Sequence, residues 1–225
     1  TFSLYIPQPT EREKIFLHVE TLEEIAEKYK CDTFDLMKMP QEVNRLTPGK
    51  LYVLNGTNSD SGNKVLTCDY IFPSPYEKLN DAIDHDSLIY EILADTRTKK
   101  SVQEINLITY LNQITVEGHI VTMKKIYQNL IKEKKALIER DAENYFYSYT
   151  RNKSYCRNHP YDHICGCGPN GATLHYIKND DTLKDGQLIL MDMGVRAGGY
   201  CSDVTSTVPV NGKFTEKQKA LYDIV

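Results

Sequence analysis

Residues 188–208 read Leu188-Ile-Leu-Met-Asp192-Met-Gly-Val-Arg196-Ala-Gly-Gly-Tyr200-Cys-Ser-Asp203-Val-Thr-Ser-Thr-Val208. Two strand-like runs flank a Gly-containing centre, and each carries one aspartate. Pairing 188–195 with 200–208 as an antiparallel hairpin around a four-residue loop, Arg196 to Gly199, predicts that Asp192 stands directly opposite Asp203. A two-residue turn at Ala197-Gly198 would give the same register, but it needs Ala197 at positive φ, which a Cβ disfavours. Every even-length loop keeps both carboxylates on one face, whereas one bulged residue would part them. Directly opposed residues have Cβ atoms about 5 Å apart, and like charges so placed destabilise a sheet. A shared proton or a shared cation relieves the repulsion, and hard divalent cations take carboxylate oxygens readily. We therefore read Asp192 and Asp203 as metal ligands. The competing reading has one aspartate capping a turn while the other faces water.

Around this hairpin the chain has room for one large domain or two modest ones within 225 residues. A net charge of -4 and a pI near 5.9 do not build the basic field that nucleic acids or acidic membranes select. Lys132-Glu133-Lys134-Lys135 reads as a solvated helix end. No apolar run approaches the roughly 20 residues of a membrane helix, and no signal-peptide pattern opens the chain. A cytoplasmic protein that binds neither nucleic acid nor membrane is expected. The six cysteines, at 31, 68, 156, 165, 167 and 201, are irregularly spaced in a chain too large to need disulfide staples, so reduced thiols are expected. The chain opens at Thr1 within a strand pattern and stops at Val225 within a helical one, so both ends read as cuts through a longer protein.

The N-terminal part alternates. A strand over 2–6 is followed by a helix that opens on the capping box Thr21-Leu-Glu-Glu24 and runs to about Lys30. A short helix over 33–39 is expected to end at Pro40, and a buried strand over 51–54 precedes a Gly, Ser and Asn loop. Pro73-Ser-Pro75 and residues 80–86 read as a linker, dividing the chain into 1–84 and 85–225. Ser101-Val-Gln-Glu104 then caps a long helix with an apolar face at Ile105, Ile108, Leu111, Thr115, Met123, Ile126 and Leu130. A second helix over 136–150 carries Tyr145, Phe146, Tyr147 and Tyr149 as core packing. Strands and Gly-rich loops follow from Ile164, and Thr215 caps a final helix.

A second constellation competes for chemistry. Cys156, His159, His163, Cys165 and Cys167 include ligand types that zinc accepts, but structural zinc prefers two separated pairs with a regular spacer. His175, in the strand-like run Ala172-Thr-Leu-His175-Tyr176, reads on its own as a satisfied core histidine.

Arg157 to Tyr176, with Ile164-Cys-Gly-Cys-Gly168 and Leu174-His-Tyr176, then Leu190-Met-Asp-Met-Gly194, Ser202-Asp-Val-Thr205 and Pro209-Val-Asn-Gly-Lys-Phe-Thr215, closely resembles the prolidases, the Xaa-Pro dipeptidases of the pita-bread metallopeptidase family. Leu51-Tyr-Val-Leu-Asn-Gly-Thr-Asn-Ser-Asp-Ser-Gly62 resembles their N-terminal domain. The resemblance implies an α+β fold, the first half of a pita-bread (creatinase/aminopeptidase-like) catalytic domain preceded by part of an α/β N-terminal domain. It implies two divalent ions, commonly manganese, with Asp192 as one ligand and Asp203 as a ligand bridging both. It places His175 and Asp203 at the bound dipeptide, and the reaction it implies is hydrolysis of the bond before a C-terminal proline, with a homodimer left open as the assembly. The family's remaining histidine ligand, two glutamate ligands and general base come from beyond Val225, so no catalytic residue is assigned within the chain and the chain alone is expected to be inactive. The loop after Tyr176 is shorter than the family's, which bears on the substrate entrance. The alternative is a non-catalytic pita-bread module that binds peptide or protein, against which the retention of both aspartates argues.

Overall fold

The computed structural model describes residues 2–16, 18–46, 49–58, 61–64, 71–84, 86–153, 155–156 and 158–225. Thr1, Ser59, Asp60, Cys68 and Arg157, named above, lie outside the described residues. Two compact units, Thr1–Lys99 and Lys100–Val225, divide the chain. Among the described residues no helix is long and apolar enough to cross a membrane. None of the described cysteines is joined in a disulfide.

The first unit runs β1 (Ser3–Ile6), α1 (Glu11–Phe16), α2 (Leu22–Tyr29), β2 (Asp32–Asp35), a 3-10 turn at Leu36–Lys38, α3 (Met39–Leu46), β3 (Leu51–Tyr52), α4 (Lys78–Asp81), β4 (Ile83–Asp84) and α5 (Leu88–Thr98). β1 pairs in parallel with β2, and β3 with β4. The capping box forms as read: the Glu24 N–H donates to the Thr21 hydroxyl, and the Thr21 N–H donates to the Glu24 carboxylate at 2.7 Å. Three local expectations are corrected. Of residues 33–39 all but Met39 fall in β2 and the 3-10 turn rather than in an α-helix, and Pro40 sits in the first turn of α3, where its missing N–H has no intrahelical partner to lose. The strand at 51–54 shortens to two residues, with Tyr52 exposed. Residues 72–84 are no free linker, because the Asn80 amide accepts from the Phe72 N–H at 2.9 Å and donates to its carbonyl at 3.2 Å, while Phe72 and Leu79 are buried. Tyr90 of α5 lies against Gly56.

The second unit runs α6 (Val102–Ile126), a π-helical turn at Tyr127–Lys132, α7 (Glu139–Lys153), β5 (Ile164–Cys167), a 3-10 turn at Gly168–Ala172, β6 (Leu188–Met193), β7 (Arg196–Ala197), β8 (Tyr200–Cys201), β9 (Val204–Pro209) and α8 (Glu216–Tyr222). Capping boxes at Ser101/Glu104 and Thr215/Gln218 start α6 and α8. The buried stripe of α6 is Leu111, Ile114, Thr115, Gly118, His119, Thr122 and Ile126, whereas Ile105 is 51% exposed. Four of those seven residues are polar or small, so apolar periodicity finds Leu111, Thr115 and Ile126 but not the whole stripe. The Thr115 hydroxyl is accommodated by donating to the Leu111 carbonyl one turn back.

α7 starts at Glu139 rather than 136, because the preceding backbone is pledged elsewhere. Leu183 N–H donates to the Leu137 carbonyl and Glu139 N–H to the Asp181 carbonyl, each at 2.9 Å. Phe146 of α7 is wholly buried, as expected of a core aromatic. β5, β6 and β9 form an antiparallel sheet in that order. Ile189, Met191 and Met193 point into the core with Leu111 and Phe146, and each such side chain contributes about 1.5–3 kcal/mol when fully buried. Leu188, Leu190 and Asp192 take the other face and are half-buried.

Candidate metal centre

The hairpin is antiparallel, but its register differs from the expected one. Asp192 stands opposite Thr205 and Met193 opposite Val204, while at the tip Arg196 pairs with Cys201 and Ala197 with Tyr200. The turn is therefore Gly198-Gly199, with φ of 56° and 81°, as a type I′ turn requires. The four-residue loop and the direct opposition of Asp192 and Asp203 are corrected: two adjacent glycines permit a tighter turn, which displaces the pairing by two residues. Because the displacement is even, parity survives, and the two aspartates become diagonal neighbours on one face.

They converge. The Tyr161 hydroxyl lies 2.7 Å from Asp192 Oδ1 and 3.0 Å from Asp203 Oδ1, one proton shared between two acceptors. Burial, and then the adjacent Asp192 and Asp203, hold the phenol far above its ordinary pKa, so it stays a donor. The segment carrying Tyr161 is docked by a bridge between Asn158 and Arg196, and by His163, whose Nε2 lies 2.9 Å from the Gly194 carbonyl oxygen. Behind Asp203, the buried Ser202 hydroxyl accepts from the Val195 N–H at 2.9 Å and lies 2.5 Å from the Thr115 hydroxyl of α6. Helix and hairpin are thus joined one residue from the carboxylate.

A cleft of about 280 Å³ opens at this point, lined by Tyr161, Asp192, Asp203, His175, Ile164 and Ile177. The three residues singled out in the sequence therefore face one space. His175, however, is neither in a strand nor in the core; it is exposed, in a turn after the 3-10 segment. Its loop is anchored beneath by Glu139 and Asn179, both wholly buried.

The Cys/His constellation does not converge. Cys165 Sγ lies 3.8 Å from Met193 Sδ, and Cys167 Sγ lies 3.2 Å from Gln187 Oε1. His159 and His163 pack against each other with ring centroids 4.7 Å apart and against Tyr147, burial holding them at about 3 and about 4 respectively. His119 of α6 is buried, with Nδ1 2.9 Å from the Ser206 hydroxyl. Among the described residues no three His, Cys, Asp or Glu side chains form a metal cage. Asp192 and Asp203 offer oxygen donors alone, a set suited to a hard divalent cation. Two carboxylates would make part of such a site rather than the whole of one. Tyr161 was not singled out in the sequence, since one tyrosine among 16 has no local mark of bonding to residues 31 and 42 positions away.

Residues 106–225 match metallopeptidase family M24. The chain is 32% identical over 214 residues to the Xaa-Pro dipeptidase of Rattus norvegicus, covering 92% of this chain and 40% of that protein. It is 31% identical over 231 residues to the Xaa-Pro dipeptidase of Homo sapiens, covering 99% of this chain and 44% of that protein. The solved structure of proline aminopeptidase P II from Yersinia pestis aligns with a TM-score of 0.72 at 26% identity, over 99% of this chain and 50% of that one. The chain thus spans less than half the length of these curated relatives. Its fold is α+β, the first part of a pita-bread domain preceded by part of an α/β N-terminal domain, and the chain belongs to metallopeptidase family M24.

Proposed function

We propose that this chain is the metal-proximal first half of a metal-dependent Xaa-Pro dipeptidase, with Asp192 and Asp203 as metal ligands. The observation that carries the reading is the convergence of both carboxylates on one hydroxyl, in a cleft that His175 also lines. Two divalent cations, manganese by preference, are the proposed cofactors, and Asp192 and Asp203 would help to hold them. When bound, such ions polarise a carbonyl and acidify water near neutral pH. Asp192 and Asp203 supply the negative charge that holds them. Tyr161 keeps its proton and orients both carboxylates, which limits the reorganisation needed on loading. His175 and Asp203 would face the bound dipeptide, and Ile164 and Ile177 give the cleft two apolar walls.

The remaining ligands belong, in this reading, to the rest of a longer polypeptide, and residues 1–225 alone do not turn over substrate. A cytoplasmic location and a homodimer are part of the same proposal. Asp203→Asn in the complete protein is the test. Hydrolysis of Gly-Pro is expected to fall at least 100-fold with the circular dichroism spectrum unchanged; normal turnover by that variant overturns the assignment.

A further inference from the structure

Glu139 is a carboxylate with no exposed surface, far from the Asp192–Asp203 pair in sequence and absent from the cleft lining. A buried charge of this kind is strongly unfavourable unless hydrogen bonds surround it. Here four donors do. Oε1 accepts from the Cys167 N–H at 2.7 Å and from Asn170 Nδ2 at 3.0 Å; Oε2 accepts from the Tyr176 hydroxyl at 2.6 Å and from the Asp181 N–H at 3.0 Å. Asn170 Nδ2 also reaches the Tyr176 hydroxyl at 3.0 Å and Asp181 Oδ2 at 2.7 Å. Burial and Glu139 together raise the Tyr176 phenol above its ordinary value, so it remains a donor.

These contacts share one topology. Cys167 and Asn170 lie where the 168–181 loop leaves β5, Tyr176 lies at its middle and Asp181 at its end. All three places are tied to one side chain at the start of α7. His175 is the neighbour of Tyr176 and is exposed. An exposed turn pays the conformational entropy of ordering without burial to offset it, so a charge-assisted bond to the adjacent residue decides whether it holds one position.

We propose that Glu139 is a positioning residue of the site: through the Tyr176 hydroxyl it holds the 168–181 loop so that His175 stays over the Asp192–Asp203 cleft. The proposal rests on the reading of Asp192, Asp203 and His175 as one site, and it adds the device that keeps the third of them in place. Asn179 supports the same loop from the other side, its Oδ1 accepting from the Cys165 N–H at 2.9 Å and its Nδ2 donating to the His163 carbonyl at 2.7 Å.

The test compares the 225-residue chain with its Tyr176→Phe and Glu139→Gln variants by NMR. Without metal, backbone order parameters at 174–177 are expected to fall from about 0.85 to below about 0.6 in both variants, while those of β6 and β9 stay unchanged. With added Mn²⁺, the ring signals of Tyr161 and His175 both broaden in the wild type; in the variants Tyr161 still broadens and His175 recovers at least half of its intensity. A role confined to stability would not separate those two rings. Unchanged order at 174–177, or equal broadening of His175 in all chains, overturns the proposal. If Mn²⁺ broadens neither ring in the wild type, the metal-site reading fails instead, and the order parameters alone judge the clamp. If Glu139→Gln does not fold, Tyr176→Phe, which removes a single oxygen from a half-buried side chain, decides.

Discussion

Asp192 and Asp203 are bridged by a single hydroxyl, that of Tyr161, at 2.7 and 3.0 Å. Two carboxylates on one sheet face repel, and a phenol that burial and those same carboxylates keep protonated is what offsets the repulsion in the metal-free chain.

Tyr161→Phe removes that shared donor with little change in volume. Hydrogen bonds to charged groups contribute about 1.5–3 kcal/mol, and the partial exposure of this site places the expected loss near the lower end. In EDTA the Tm should fall by several degrees, and saturating Mn²⁺ should recover most of the difference, since a cation replaces the lost positive end. Thermal unfolding with and without Mn²⁺ measures both; identical Tm values in EDTA would show that the hydroxyl carries no weight.

Gly194 and Gly199 predict opposite responses. A Cβ on Gly194 would lie 2.0 Å from the Ser202 carbonyl oxygen, a backbone atom that cannot yield without opening the hairpin between the two aspartates. Gly194→Ala is expected to destabilise by about 3 kcal/mol or more, within the range of severe backbone and overpacking effects, and to weaken Mn²⁺ binding. Gly199, at φ 81°, has open space around it, so Gly199→Asn should cost no more than about 1–2 kcal/mol. Urea midpoints of the two variants give the comparison, and equal losses would contradict the register.

His163 is wholly enclosed, and burial holds it at about 4, below the ordinary 6.5. The unfolded chain therefore binds a proton there between those pH values while the folded chain resists it. Stability rises with pH across that window: the contribution is complete above about pH 6.5 and is lost as pH falls toward 4, by at most about 1.4 kcal/mol per pH unit. His159, held at about 3 by burial, acts in the same direction. His163→Gln should flatten the slope of unfolding free energy between pH 4.5 and 6.5, whatever its effect at pH 7, and an unaltered slope would discount this histidine.

Thr115 and Ser202 join α6 to the hairpin through hydroxyls 2.5 Å apart. Thr115→Val keeps the shape and leaves Ser202 one partner short, for a loss of about 1 kcal/mol. A double-mutant cycle with Ser202→Ala should show coupling of at least about 0.5 kcal/mol, and additivity would mean that the pair does not interact.

The features legible beforehand are local ones. The capping boxes at Thr21, Ser101 and Thr215 depend on residues three positions apart, and all three form. The shared face of Asp192 and Asp203 follows from strand parity, which a shift of two leaves intact. Pro40 was misread because the same proline that ends one helix can begin another, and only what precedes it in space decides. The inner face of α6 is legible at Leu111, Thr115 and Ile126, whereas His119 and Thr122 on the same face are buried by partners on other elements rather than by their own hydropathy.

Sequence by itself therefore determined the periodicities, the helix starts and the pair of acidic residues on one side of a hairpin, because each is set by the chain's stereochemistry over a few positions. Tertiary structure alone decided that Tyr161 closes the gap between those carboxylates, that His175 stands exposed beside them, and that Glu139 gathers four donors under its loop. Those contacts join residues tens of positions apart, and their strength comes from burial, which exists only once the helices have packed on the sheet.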